Sequence, residues 1–264
     1  MQFIDEILEK KLFGTALLAT QAAGNLLIEK LNTTLSIDFK GRANMVTEAD
    51  LASENLIVEM IQREFPDHQI LTEERPQIEN ASDFKWIIDP LDGTTNFVHG
   101  FPMFAVSIGL EVAGQMYLGV VLHPTTNELF SAIRGKGAFL NKQSISVSSV
   151  ERLSLSLLAT GFPYELDANF FHNMELFKRF YSKCQGVRRP GSAALDLCYL
   201  ACGRYDGFWE FGLNPWDIAA ATVIITEAGG QLSDFHGKDF SIYKREILAT
   251  NRKITDEMLN ILKN

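Results

Sequence analysis

The chain has 264 residues, of which 46% are apolar and 22% charged, with a net charge of 24 − 33 = −9. That length buries a sizeable core, as one large domain or two close-packed lobes, and the composition excludes long disorder. An acidic chain with no cluster of Lys and Arg lacks the electrostatic footprint of a protein whose main partner is DNA or RNA.

Asp5 and Glu6 precede any apolar run, the reverse of a signal peptide's positive start, and no stretch reaches the ~18 apolar residues of a membrane span. Neither a leader nor a span is predicted. Cys184, Cys198 and Cys202 form no CxxC pair and have no His or Cys nearby to complete a metal set, so they read as free thiols in a reducing, cytoplasmic setting.

Residues 4–31 carry Ile7, Leu8, Leu12, Leu17, Leu18, Leu26, Leu27 and Leu31 at helical spacing. Asn32-Thr33-Thr34 ends that run, and 35–39 alternate like a strand. Thr47-x-x-Asp50 resembles a capping box for a helix over 51–65, which stops at Pro66-Asp67. Short strands are predicted at 69–71, 86–88, 104–112 and 116–122. Gly135-Lys136-Gly137 lies between strands 129–133 and 138–140 and opens no helix, which makes it a hairpin turn rather than a nucleotide loop. Further along, 155–159 read as a strand, 170–181 and 193–202 as helices, and 205–210 as extended. The helix at 216–228 has Pro215 at its start and Gly229-Gly230 past its end. This order predicts a layered α/β sandwich: one domain over 1–264 made of an antiparallel-rich lobe and a more alternating one, divided near 145–155.

Acids stand at the ends of several of these elements. Glu73 follows the strand at 69–71, Asp89 and Asp92 close the strand at 86–88, and Asp217 occupies the first turn of the helix after Asn214-Pro215-Trp216. Each has an ordinary structural use: Asp217 favours a helix start by ~0.3–1 kcal/mol, and Asp92-Gly93 is a common turn pair. Together they suggest more. Asp89 and Asp92 share one strand end, so their carboxylates repel unless a cation sits between them. Carboxylates, hydroxyls and carbonyls without His or Cys suit a hard divalent cation. Gly93 and Thr94 stand where a helix start would offer N–H groups to an anion such as phosphate. A metal-assisted phosphoester site follows. An aspartyl-phosphate mechanism of the D-x-D-G-T kind does not, because Leu91 occupies the place of the first Asp.

Trp86-Ile87-Ile88-Asp89-Pro90-Leu91-Asp92-Gly93-Thr94-Thr95-Asn96-Phe97 resembles the first signature of the inositol monophosphatase family. Asn214-Pro215-Trp216-Asp217-Ile218-Ala219-Ala220-Ala221, leading to Glu227-Ala228-Gly229-Gly230, resembles its second, and Val46-Thr47-x-x-Asp50 and Glu73-Glu74 match two supporting elements. Ala159 to Pro163 and Arg188 to Asp196 are similar to the bacterial branch. The resemblance implies an αβαβα sandwich of the sugar-phosphatase kind that also includes fructose-1,6-bisphosphatase, usually homodimeric and lithium-sensitive. It implies Mg²⁺-dependent hydrolysis of a small sugar or polyol phosphomonoester with two or three ions. Glu73, Asp89, the Leu91 carbonyl, Asp92 and Asp217 are then the implied metal ligands. Glu73, Thr94 and Asp50 would be catalytic, orienting the attacking water. Asp92, Gly93, Thr94, Ala193, Glu210 and Asp217 would contact substrate.

Departures from the pattern are Asn44 before Met45, Lys40, which aligns only loosely, and Asn214, where some relatives carry His. Inositol monophosphate is the first candidate substrate. Histidinol phosphate, fructose 1,6-bisphosphate and phosphoadenosine phosphate are alternatives, the bisphosphates disfavoured by the lack of a basic pocket beyond Arg188 and Arg189. A non-catalytic binding or regulatory protein on the same fold is the reading of another class.

Overall fold

The computed structural model describes residues 4–31, 37–39, 45–163 and 165–263. The break at 32–34, Leu35 and Ser36 of the first predicted strand, Lys40 and Asn44 lie outside these residues.

The chain opens with the long helix α1 (Glu6–Lys30), capped by Asp5, whose Oδ1 accepts from Leu8 N at 2.8 Å. β1 (Ile37–Phe39) and β2 (Met45–Thr47) pair antiparallel and lead into α2 (Glu48–Glu64). The capping box is present: Thr47 Oγ1 accepts from Ala49 N and Asp50 N, and Asp50 Oδ2 accepts from Thr47 N. Next come β3 (Gln69–Thr72), β4 (Phe84–Asp92), the single-turn α3 (Thr94–Val98), β5 (Ala105–Val112) and β6 (Gln115–His123). β7 (Glu128–Ile133), β8 (Ala138–Leu140) and β9 (Gln143–Ile145) follow, with Gly135-Lys136-Gly137 as the hairpin turn between the first two. These strands form a seven-stranded sheet in sequential order β3 to β9, antiparallel apart from the β3–β4 pair.

The remaining chain makes a second sheet. β10 spans Leu157–Thr160, later than the predicted 155–159, because residues Leu153–Leu155 wind into a 3₁₀ turn first. α4 (Ala168–Tyr181), β11 (Gly186–Arg188), α5 (Ala193–Ala201), β12 (Gly207–Phe211) and α6 (Pro215–Glu227) alternate as the pattern implied. β13 (Gln231–Ser233), β14 (Glu246–Thr250) and α7 (Thr255–Lys263) close the chain. The sheet order is β11-β10-β12-β14-β13, parallel at β11–β10–β12 and antiparallel beyond.

Five layers result. α1 and α2 cover one face of the large sheet, α5 and α6 lie between the two sheets, and α4 and α7 cover the outer face of the small one. Each interface has its own apolar core. Leu12, Ile57, Trp86 and Ile108 fill the first, Ile87, Phe208, Ile218 and Ile224 the middle one, and Leu176, Phe180, Trp209 and Met258 the third. The architecture is the expected αβαβα sandwich.

The middle layer is close-fitted, and it carries Asp217. α6 lies on the large sheet through Ala219, Ala220 and Ala221, all fully buried. Opposite them, Gly119 of β6 has no side chain, and a Cβ there would stand 2.1 Å from the Ala220 carbonyl oxygen. No rotamer relieves a clash with backbone, so α6 can reach its seat only over glycine. Gly119→Ala should therefore cost about 1–3 kcal/mol or more, lowering the thermal midpoint by about 2–4 °C per kcal/mol for a chain of this size. Calorimetric or dichroic melting measures it, and an unchanged midpoint would show that the seam is looser than drawn.

Candidate active site

Side chains in a regular strand alternate faces, so Asp89 and Asp92, three positions apart, would point to opposite sides of β4. They do not. Asp89 pairs with Ser107 and Asp92 with Ala105, so three steps along β4 face two along β5, and the register shifts between them. This extra residue is a β-bulge, which re-aims one side chain and puts both carboxylates on one cavity. The strand accordingly runs on through both acids to Asp92, beyond the predicted end at Ile88.

Gly93 follows with φ +92°, and a Cβ there would lie 2.9 Å from the Met103 carbonyl oxygen, so only glycine turns the chain at this point. α3 starts directly after it, with Thr94 as its first residue. Thr94 Oγ1 donates to Asp50 Oδ1 at 3.0 Å or, alternatively, to the Leu91 carbonyl at 3.2 Å. Asp50 is itself buried and held by Thr47 through its other oxygen, Oδ2, at 2.6 Å.

The other acids also use one oxygen for geometry. Asp89 Oδ1 accepts from Leu91 N at 3.1 Å, and Asp217 Oδ2 accepts from Asn214 N at 2.7 Å, which caps α6. Asp92 Oδ2 accepts from Ser192 Oγ at 2.6 Å and Ala194 N at 2.8 Å, both at the N-terminus of α5. Among the described residues, Asp89 and Asp217 each take these bonds on a single oxygen, Asp92 also accepts from the Ala193 N–H, and no Lys, Arg or His forms an ion pair with the three acids. The ordinary cap and turn uses therefore coexist with oxygens of Asp89 and Asp217 that these bonds do not take.

That arrangement is electrostatically costly. Burial first, then the charges of Glu73, Asp92 and Asp217, push Asp89 well above the usual carboxylate range. Burial raises Asp92 to about 6 against the hydrogen bonds from Ser192 and Ala194, and raises Asp217 to about 7, Asp92 adding to it. Glu210 is pushed well up by burial and by Asp217, with Arg189 opposing.

Glu73, Asp89, Leu91, Asp92, Gly93, Thr94, Ala193, Glu210 and Asp217 all line one cavity of about 730 Å³, and Asp50 stands behind it through Thr94. Every residue predicted from the sequence is thus brought together. As they stand, no three His, Cys, Asp or Glu side chains among the described residues are arranged to hold a metal ion. The donor chemistry nevertheless fits a hard cation: acid oxygens converge from four elements, mutual repulsion raises their affinity for any positive charge, and neutral soft ligands are absent from the cavity wall.

The cavity also holds residues of the Arg188–Asp196 stretch to which the resemblance assigns no role, and two, Lys244 and Arg245, that no motif covers. Ser192 clamps Asp92, and Arg189, Asp196, Lys244 and Arg245 line the wall. Lys244 and Arg245 precede β14, whose Glu246 pairs with Phe211, so they arrive beside Glu210 by strand pairing alone. Their Lys-Arg-Glu run was the available signal. This corrects the expectation of a pocket with no cations beyond Arg188 and Arg189: Arg188 is not in the wall, and Arg189, Lys244 and Arg245 are.

Comparison with known proteins agrees with this site. The sequence matches the Inositol monophosphatase family over residues 9–263. It is 42% identical over 260 residues to Nus factor SuhB of Pseudomonas aeruginosa, covering 95% of each chain. It is 46% identical over 246 residues to Inositol-1-monophosphatase of Synechocystis, covering 92% of this chain and 86% of that one. Among solved structures, the extragenic suppressor protein suhB of Bartonella henselae superposes with TM-score 0.93 at 38% identity, over 96% of this chain and 99% of that one. Bulged acids, glycine turn, Thr–Asp pair and a family match along nearly the whole length lead to one conclusion: the chain belongs to the inositol monophosphatase family.

Proposed function

We propose that this cavity hydrolyses a small phosphomonoester, inositol monophosphate first among candidates, by in-line attack of water. The observation that carries the reading is the set of mutually repelling acids, Glu73, Asp89, Asp92 and Asp217, gathered beside the Thr94–Asp50 hydrogen bond. Family membership and the relative named Inositol-1-monophosphatase support it. In this proposal the protein is cytoplasmic and homodimeric.

Glu73, Asp89, the Leu91 carbonyl, Asp92 and Asp217 would hold two or three Mg²⁺ ions, with Asp89 shared. When bound, such ions supply Lewis-acid stabilisation of phosphoryl oxygens and make a water more acidic. The chain's own part is positioning. With its O–H donated in a hydrogen bond to Asp50 Oδ1, Thr94 Oγ1 keeps its lone pairs free to accept a hydrogen bond from the attacking water and so fixes that water's direction. Glu73 holds the water from the other side. The N–H groups of Gly93 and Thr94, at the start of α3, receive the phosphate. The Glu210 carboxylate and Ala193 face the alcohol, whose hydroxyls suit a buried acceptor.

Arg245 in the wall weakens the argument against a second phosphate, although Lys244 is paired with Asp234 at 3.2 Å, so fructose 1,6-bisphosphate and phosphoadenosine phosphate belong in the same test as histidinol phosphate. A second reading, a binding protein on the same fold, is favoured by the Nus factor name of one close relative.

Phosphate release from inositol 1-phosphate should require Mg²⁺. A wild-type chain that turns over none of these esters while binding Mg²⁺ would transfer the case to the binding reading.

Asp92→Asn keeps acceptors for Ser192 and Ala194 but loses the charge. Turnover should fall more than about a hundredfold, since even outer partners of metal ligands are worth ten- to a hundredfold, with the melting curve little changed. Near-normal kcat would reject the assignment.

Linkage offers a third check. Asp92 and Asp217 have folded values of about 6 and 7, above their ordinary range, so the fold holds extra protons. Their stabilising contribution is full below about pH 4 and is lost as pH rises through 6 to 7. The metal-free melting midpoint should therefore fall over that window, less steeply in Asp217→Asn, and Mg²⁺ should restore it near pH 7.5 far more than near pH 4.5. Equal Mg²⁺ shifts at both pH values would contradict the cluster.

A further inference from the structure

The first turns of α2 touch the site at three places. Asp50, Ser53 and Glu54, at i, i+3 and i+4, share one helix face, and all three are buried. Asp50 receives Thr94, as described. Ser53 Oγ donates to the Pro90 carbonyl at 2.7 Å, inside the β4 bulge between Asp89 and Asp92. Glu54 reaches the segment after β3. Its Oε2 accepts from Thr72 Oγ1 at 2.6 Å and Glu74 N at 2.9 Å, and its Oε1 accepts from Arg75 Nε at 2.7 Å.

These contacts bracket Glu73. Thr72 precedes it, Glu74 and Arg75 follow it, and one carboxylate holds all three. The side-chain exposure of Glu54 is 2%, so its carboxylate is shut away from water and takes its polar contacts from these three donors. Losing one donor leaves a buried acceptor under-satisfied, which penalises any movement of the loop. Glu73 directly follows β3, the edge strand of the large sheet, whose ladder with β4 ends at the Thr72–Ile88 pair. Nothing in catalysis as proposed above uses Ser53 or Glu54.

We propose that Glu54 is a positioning residue that sets the place of Glu73 relative to the β4 acids, with Ser53 fixing the bulge from the same helix face, so that α2 determines the cation affinity of the cavity. The proposal rests on the reading of Glu73 as a cation ligand. Helix α2 works as a rigid template: Asp50, Ser53 and Glu54 keep Thr94, Pro90 and Thr72–Arg75 at fixed mutual distances, because the helix backbone allows no independent drift among its own side chains.

The test is isothermal titration of the full chain with Mg²⁺ alone, alongside thermal melting, for wild type, Glu54→Gln, Thr72→Val, Ser53→Ala and Asn55→Ala. Thr72→Val removes one bond to Glu54 at constant shape and charge. Asn55 is exposed and touches only the outer end of Arg75, at 2.5 Å, so it is the control. Glu54→Gln and Thr72→Val should weaken Mg²⁺ binding by about tenfold, Ser53→Ala should weaken it in the same direction, and Asn55→Ala should match wild type. Variants that melt earlier yet bind Mg²⁺ within twofold of wild type would overturn the proposal and leave Glu54 a purely structural group. Should Glu54→Gln fail to fold, Thr72→Val decides by the same criterion. A wild-type chain that binds no Mg²⁺ would instead overturn the reading of the cavity itself.

Discussion

Repulsion among buried carboxylates is the constraint around which this structure is organised. Asp89 is desolvated and flanked by the charges of Glu73, Asp92 and Asp217, and no cation of the chain pairs with it among the described residues. A protein accepts such a cost only where surrounding structure over-determines it. Here the determinants are hydrogen bonds. Leu91 N engages one oxygen of Asp89, Ser192 with Ala194 N one oxygen of Asp92, and Asn214 N one oxygen of Asp217, and all three acids line the cavity.

Asp89 and Asp217 are held by backbone N–H groups two and three residues away, whereas Asp92 is held by donors far along the chain, which is why the five layers matter for chemistry. Asp92 on the large sheet is held by the start of α5, one hundred positions later, and Asn96 Nδ2 donates to the Pro190 carbonyl at 2.8 Å just before that helix. Asp217 reaches the cavity because α6 sits hard against Gly119, where any side chain would lift it. Packing in the middle layer therefore sets the distance between acids from the two sheets. Stability and site geometry are the same contacts seen twice.

Most of the site was legible in the residue patterns. Asp89, Asp92, Gly93, Thr94 and Asp217 lie in two long signatures, and Thr47-x-x-Asp50 announced a helix start, since short-range capping chemistry is written in local spacing. What stayed hidden is long-range. Glu54 looks like one more helix-surface glutamate until its face is seen to turn inward onto Thr72, Glu74 and Arg75. Lys244 and Arg245 enter the wall only through the pairing of β12 with β14. The start of β10 moved because Leu153 anchors the turn 153–155 in the third core while Leu155 stays exposed, a tertiary preference over local strand propensity.

By itself the sequence determined the main elements up to α6, the layered class, the family and the identities of the acids, because periodicity, caps and signatures are short-range properties; β13, β14 and α7 came only with the structure. Only the tertiary structure decided that two acids three apart share a face, since strand alternation alone places them on opposite sides and the β4–β5 register shift reverses one of them. It also decided what holds Asp92, because Ser192 and the Ala194 N–H reach it only by packing between segments about a hundred residues apart, whereas the donors to Asp89 and Asp217 are local.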